Sequence, residues 1–208
     1  MTKITADDLI YGYISGIFPM ADQDGSVFWY SPDPRAIIPI DTYKPQKSLR
    51  PVLNRNEFEI RIDEDFEGVM RHCALPRTLE DETWISEELI EAYTDLHHMG
   101  LAHSVEAYQD GCLAGGLYGV TIGSAFFGES MFFKVPNASK VAFHYLIQKL
   151  KDNHFQLLDT QFINDNVKRY GAIEIPKKQY LSLLKKAIHQ KAVFTDGRVD
   201  QLLSKITG

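Results

Sequence analysis

Behind Thr5, whose hydroxyl suits an N-cap, the apolar residues Leu9, Ile10, Tyr13 and Ile14 recur at helical spacing, and Gly16 suits a stop. The next stretch, from GIFP (16–19) through FWYSPDPRAIIPI (28–40), is dense in aromatics and breakers. Pro32 and Pro34 argue against regular structure there, and with Trp29 around Arg35 they predict a rigid packed loop. Phe58, Ile60 and Ile62 alternate like one face of a strand, and residues 64–74 and 86–99 follow as helices, the second opened by Ser86 and closed by Gly100. Strands are predicted at 102–108, 112–120 and 124–133, joined by the turn signals Asp110-Gly111 and Ile122-Gly123. Asn137 is the expected cap of a helix of about four turns carrying Val141, Tyr145 and Leu146. After it come a strand (155–162), a helical turn (164–170), a strand (172–176) and a basic amphipathic helix (177–189). Helices, then an antiparallel meander, then β-α-β-α predict an α+β fold with one central mixed sheet and flanking helices. A small N-terminal domain is expected over residues 1–60, with the larger unit over 61–208.

Composition narrows the class. Of 208 residues, 44% are hydrophobic and 12% aromatic, enough to fill a core. Cys73 and Cys112 form no framework, which points to a reducing compartment. The opening MTKITADDLI places two acids where an export signal needs an apolar stretch, and no run reaches the roughly 20 apolar residues of a membrane helix. A cytoplasmic protein is expected. The net charge of −6 argues against a generally basic nucleic-acid binder, but the charge is unevenly placed. Residues 55–110 carry 15 acids against 4 bases, whereas residues 140–191 carry 10 bases against 4 acids. Two oppositely charged solvated faces would look like this, and so would a polyanion-binding side beside an acidic one.

Candidate chemistry gathers on the strands. Asp159 and Gln161 are two apart, so both side chains project from one sheet face, in an apolar setting that obliges a carboxylate to find partners. Glu129 shares its predicted face with Phe127 and Met131. A carboxylate and an amide facing a cleft can orient an amine and relieve it of a proton, although each acid could equally be a satisfied structural group. Gly128-Glu129-Ser130-Met131 fails as a nucleophile elbow because Phe132 replaces the second glycine. The seven histidines show no zinc-binding spacing.

The element order is similar to that of acetyl-CoA-dependent N-acetyltransferases, yet FFKVPNASK (132–140), where their phosphate turn would lie, contains Pro136 and no glycine. That counts against a CoA site. WYSPDPRA (29–36), TWI (83–85), EAYTDLHHMGLAHSVE (91–106), GGLYGV (115–120), FFGESMF (126–132), NASK (137–140), DTQ (159–161) and GAIEIPKKQY (171–180) together resemble the leucyl/phenylalanyl-tRNA–protein transferases, collinearly from about Tyr11 to Tyr180. The resemblance implies an acetyltransferase-like catalytic domain that moves Leu or Phe, and less well Met, from aminoacyl-tRNA to proteins beginning with Lys or Arg, marking them for N-end-rule degradation.

Carried over by residue, the resemblance implies Asp159 and Gln161 as a catalytic pair, with Asp159 holding the Gln161 that orients or deprotonates the amine. It implies Glu129 as a carboxylate beside the donor's aminoacyl end and Trp84 as the contact of the terminal adenosine. Leu117, Phe126 and Met131 become walls of an apolar side-chain pocket. An aminoacyl ester is already activated, so no cofactor, metal or covalent intermediate is expected; positioning alone supplies up to roughly 7–11 kcal/mol. A monomer is expected, with residues 140–191 facing tRNA. Asn166 and Arg169 stand where family members commonly carry His and Ser. An acyl-CoA N-acyltransferase and a non-catalytic binder of tRNA or basic N-termini are the competing readings.

Overall fold

The computed structural model describes residues 3–22, 24–76 and 83–195. Helix α1 (Ala6–Ile14) opens with a capping box: Thr5 Oγ1 accepts from the Asp8 amide while the Asp8 carboxylate accepts from the Thr5 amide. Strands β1 (Phe18–Ala21) and β2 (Val27–Tyr30) form a separate antiparallel ribbon, and β3 (Arg35–Ile37) follows. The proline-rich segment is therefore more regular than expected. Pro19 sits in a two-stranded ribbon, where a missing N–H costs little, and Pro32 and Pro34 occupy the link between β2 and β3.

A short helix α2 (Arg50–Asn54), with Pro51 in its first turn, precedes β4 (Glu59–Ile62). Helix α3 (Phe66–Cys73) is capped by Asp65 and α4 (Glu87–His98) by Ser86. The meander β5 (Ala102–Gln109), β6 (Cys112–Ile122) and β7 (Ala125–Phe133) leads into α5 (Ala138–Asp152), then β8 (Leu157–Gln161), α6 (Asp165–Arg169), β9 (Ile173–Ile175) and α7 (Lys177–Ala187). At the β6–β7 turn Gly123 has φ +58°, and an added Cβ would lie 2.5 Å from the Ala187 carbonyl, so both conformation and space require glycine there. Asn137 stands at the N-cap of α5 but does not cap it: at φ 72° its side chain turns away and accepts from Lys140 Nζ at 3.1 Å.

The seven-stranded sheet runs β4-β5-β6-β7-β8-β3-β9, antiparallel except between β7 and β8, where α5 makes the crossover. It is the α+β arrangement expected, a mixed sheet between helical layers. Alternation along the strands divides the core in two. Tyr118, Val120, Phe127 and Leu157 face one cluster with α1, α3, α4 and α7, whereas Leu117, Phe126 and Leu158 face the other with α5. Strand β3 lies between β8 and β9 in this sheet although it precedes residue 60, so the larger unit draws on the chain's first third. The basic helix α7 buries Tyr180, Leu184 and Ala187 and turns Lys178, Lys185 and Lys186 outward.

Candidate active site

Strand β7 carries an extra residue. Its register with β6 passes from Tyr118↔Ser130 to Gly119↔Gly128, so Glu129 has no opposite number and forms a β-bulge. The bulge reverses the alternation: Phe127 faces the α1/α3/α4 side, but Met131 packs on the α5 side. The expectation that Glu129 and Met131 share a face is thus corrected, because strict period-2 reading cannot anticipate an inserted residue. On the other flank, β7 and β8 pair only from Ala125↔Leu157 to Phe127↔Asp159. Beyond that point the strands part, and a cavity of about 370 Å³ occupies the gap.

The cavity joins the two sides of the sheet. Phe18, Met20 and Trp84 line it from the first core cluster, and Leu117, Leu146 and Leu158 from the second. Glu129 and Gln161 line it as well, together with Ser130, Thr160, Asn164, Asn166 and Tyr170. Met131 is also on the lining, and its thioether lies 3.7 Å from Asn166 Nδ2 and 3.8 Å from the Tyr170 hydroxyl. Asn166 is itself on the lining. Of the residues expected from the sequence, Trp84, Leu117, Met131, Glu129 and Gln161 come together. Two do not reach the cavity. Phe126 is fully buried behind it, its ring 5.4 Å from that of Phe194, and Asp159 is fully buried beneath Gln161.

Glu129 gathers donors from three elements. Tyr13 of α1 donates to Oε1 at 2.7 Å and Gln161 Nε2 to Oε1 at 2.7 Å; the Tyr93 hydroxyl of α4 has one hydrogen to give, either to Oε2 at 3.3 Å or to the Tyr13 hydroxyl beside it. Burial pushes the Glu129 carboxyl up to about 7; the Tyr13 bond opposes this, Asp159 adds to it, and Tyr93 and Arg35 oppose it. Burial, followed by the charge of Glu129, drives both tyrosine hydroxyls well above their ordinary value, so they remain protonated donors. Replacing Tyr13 with Phe deletes a bond to the charged carboxylate. The Glu129 titration, followed by the pH dependence of kcat, should then move to higher pH; an unmoved profile would show that Tyr13 does not tune Glu129.

Sequence reasoning missed Arg35 as part of this arrangement. Its Nε and Nη2 meet Asp159 Oδ1 and Oδ2 at 2.9 and 2.6 Å, and both side chains are at most 1% exposed. The signal was present in WYSPDPRA, the motif that carries Arg35, but nothing local paired it with a carboxylate 124 residues away. Asp33 of the same motif accepts from the Lys177 amide at 3.0 Å, opening α7 in place of a local cap.

Residues 37–185 match the family described as leucyl/phenylalanyl-tRNA protein transferase, and residues 2–33 match that family's N-terminal domain. The chain belongs to this family. It is similar to proteins named leucyl/phenylalanyl-tRNA–protein transferase from Prosthecochloris aestuarii (50% identity, 90% of this chain and 97% of the relative), Chlorobaculum parvum (50%, 92% and 99%) and Herpetosiphon aurantiacus (52%, 93% and 100%). Among solved structures, that of L-PGS from Bacillus licheniformis matches at a TM-score of 0.42 and 15% identity over 78% of this chain and 53% of that one. As a member of the family, the chain is an aminoacyl-tRNA-dependent aminoacyltransferase. Among the described residues, no helix is long and apolar enough to cross a membrane.

Proposed function

We propose that this chain transfers Leu or Phe, and less well Met, from aminoacyl-tRNA to the α-amine of proteins beginning with Lys or Arg, and so marks them for N-end-rule degradation in the cytoplasm. The observation that carries the reading is the cavity in the split between β7 and β8, which sets Glu129 and Gln161 beside an apolar wall of Leu117, Met131, Leu146 and Leu158. Leu117 and Met131 wall the seat of the donor side chain, and Phe126 backs that wall from behind. An apolar donor side chain buries its surface there against Leu117, Leu146, Leu158 and Met131, whereas a charged one would be desolvated. Trp84 is assigned to the terminal adenosine, consistent with its place at the opposite end of the cavity from Leu117 and Leu158. The small N-terminal unit contributes Tyr13, Phe18 and Met20 to the site and lends β3 to the larger sheet. The lysines of α7 supply a phosphate-facing surface, and the enzyme acts as a monomer.

In the reaction the α-amine nitrogen attacks the ester carbonyl. The C–N bond forms, the C–O bond to the ribose breaks, and the amine proton ends on the leaving ribose hydroxyl. Gln161 spends its N–H on Glu129, which leaves its carbonyl oxygen to accept from the amine; an amide cannot itself carry the proton. Glu129, titrating near neutrality, takes that proton and returns it to the leaving oxygen. Asp159 fixes Gln161 by accepting its backbone amide at 2.9 Å. No cofactor or metal enters this scheme.

Purified protein incubated with labelled Phe-tRNA and an Arg-starting peptide should place label on the peptide. Binding of both partners without transfer would favour the non-catalytic reading. Enlarging the wall should change donor choice: Leu117→Phe is expected to lower kcat/KM for Phe-tRNA relative to Leu-tRNA by about tenfold or more. Unchanged selectivity would remove Leu117 from the donor pocket.

A further inference from the structure

We propose that Arg35 is a positioning residue for aminoacyl transfer, locking the Asp159 carboxylate and, through it, the backbone that aims Gln161 at Glu129. The inference rests on the reading of Gln161 given under Proposed function. The Asp159 carboxylate has four donors: Arg35 Nε and the Gln161 amide on Oδ1, Arg35 Nη2 and the Tyr180 hydroxyl on Oδ2, all within 2.9 Å. Its lone pairs are thereby filled, and it lies off the cavity, so it is an anchor and has no site for a migrating proton.

Arg35 is the part of this anchor that cannot shift. Its guanidinium carbon lies 4.7 Å from the Phe18 ring centroid and 4.5 Å from that of Tyr180, and Nη1 donates to the Gly16 carbonyl at 3.2 Å. One side chain of β3 thus ties together the end of α1, strand β1, strand β8 and helix α7. Phe18 and Gln161 both line the cavity, so the clamp acts on two of its walls at once. What it holds in place is unusual: Gln161 ends β8 with φ +61°, a conformation that residues with a Cβ seldom adopt. Its amide bond to Asp159 fixes that turn, and its side chain consequently reaches Glu129 at 2.7 Å. Arg35 is not on the cavity lining, and it acts on Gln161 through Asp159.

A lysine keeps the charge but loses the two-pronged fit, which makes Arg35→Lys the informative variant. Two readouts are taken on the full chain: steady-state transfer from Phe-tRNA to an Arg-starting peptide, and hydrogen exchange at the Gln161 backbone amide with Val105 and Leu117 in the meander as internal controls. The expected result is kcat lower by about 100-fold, KM for Phe-tRNA within about threefold, and faster exchange at Gln161 with the meander amides still protected. Wild-type kcat with an unchanged Gln161 amide in folded Arg35→Lys would overturn the proposal. Equal loss of protection at all three amides would overturn it too, since it would mark Arg35 as a general stabiliser. If Arg35→Lys does not fold, Tyr180→Phe removes one hydroxyl from the same carboxylate and is expected to lower kcat and speed Gln161 exchange in the same sense, with no change in either overturning the proposal. Should the wild-type chain fail to transfer Phe at all, the proposed function falls, while the Gln161 exchange rate still decides whether Arg35 fixes that backbone.

Discussion

A Glu129→Gln enzyme should transfer Phe about 10²–10⁴ times more slowly than wild type, with its affinity for Phe-tRNA nearly retained. The substitution preserves size and most hydrogen bonds, because the new carbonyl can accept from Tyr13 and Gln161 while its N–H₂ donates to the Tyr93 hydroxyl. Only the proton-carrying capacity is lost. Wild-type kcat should rise with pH through about 7, as the carboxylate forms, and the variant should show no such limb. The same group leaves a mark on stability. Glu129 holds its proton up to about 7 in the native state but only to about 4.5 when unfolded, so deprotonation over that window favours the unfolded chain. As pH rises from 4.5 to 7, the difference in Tm between variant and wild type should move in the variant's favour and then level off. A pH-independent difference would mean that Glu129 is not buried as a near-neutral acid.

Asp159→Ala is expected to be the most destabilising single change in the site. It leaves Arg35 buried and unpaired, at a cost of about 3–5 kcal/mol. For a chain of this size that lowers Tm by roughly 6–20 °C. It also frees the Gln161 amide and the Tyr180 hydroxyl, so at temperatures where the variant remains folded, kcat should fall far more than tRNA binding weakens. Calorimetry and a kcat/KM comparison on the same preparation check both parts. A Tm within a degree or two of wild type would contradict the buried pair, and equal losses of turnover and binding would contradict the role of Asp159 in positioning Gln161.

Which parts of this site were visible in the sequence follows from the range of the interactions involved. Period-2 alternation placed β5 through β8, and Thr5, Ser86 and Asp110-Gly111 marked element ends because caps and turns are local. Asp159, Gln161 and Glu129 stood out as polar residues in apolar strands, and the family motifs assigned their roles. The bulge at Glu129 was hidden because one inserted residue leaves the composition of the strand unchanged while reversing every side chain after it. Short strands beside prolines were hidden for a related reason: β3 exists because it finds β8 and β9, not because its own three residues demand it. Arg35 needed its distant partner to be intelligible. Helix α7 likewise has no cap of its own and takes one from Asp33, more than 140 residues earlier.

The charge division also gains a physical placement. The lysines of α7 stand outward from the helix that carries Tyr180 to the Asp159 anchor, so a basic surface and the buried clamp share one element. Several acids of the 55–110 stretch, by contrast, are engaged locally: Glu59 and Glu64 with Arg61, Glu67 and Glu87 with Arg71, and Glu106 with the amides that open α3. The exposed pairs on Arg61 and Arg71 contribute little to stability and mark those acids as ordinary solvated surface, whereas Glu106 is buried.

A crystal structure with a non-hydrolysable phenylalanyl-adenosine analogue shows whether the split between β7 and β8 seats the donor's side chain beside Glu129 and Gln161. The phenyl ring is expected against Leu117 and Met131, the adenine near Trp84, and the acyl carbon within reach of Glu129 and Gln161. A phenyl ring bound anywhere else, with the space beside Leu117 and Met131 left free of the ligand, would contradict this placement.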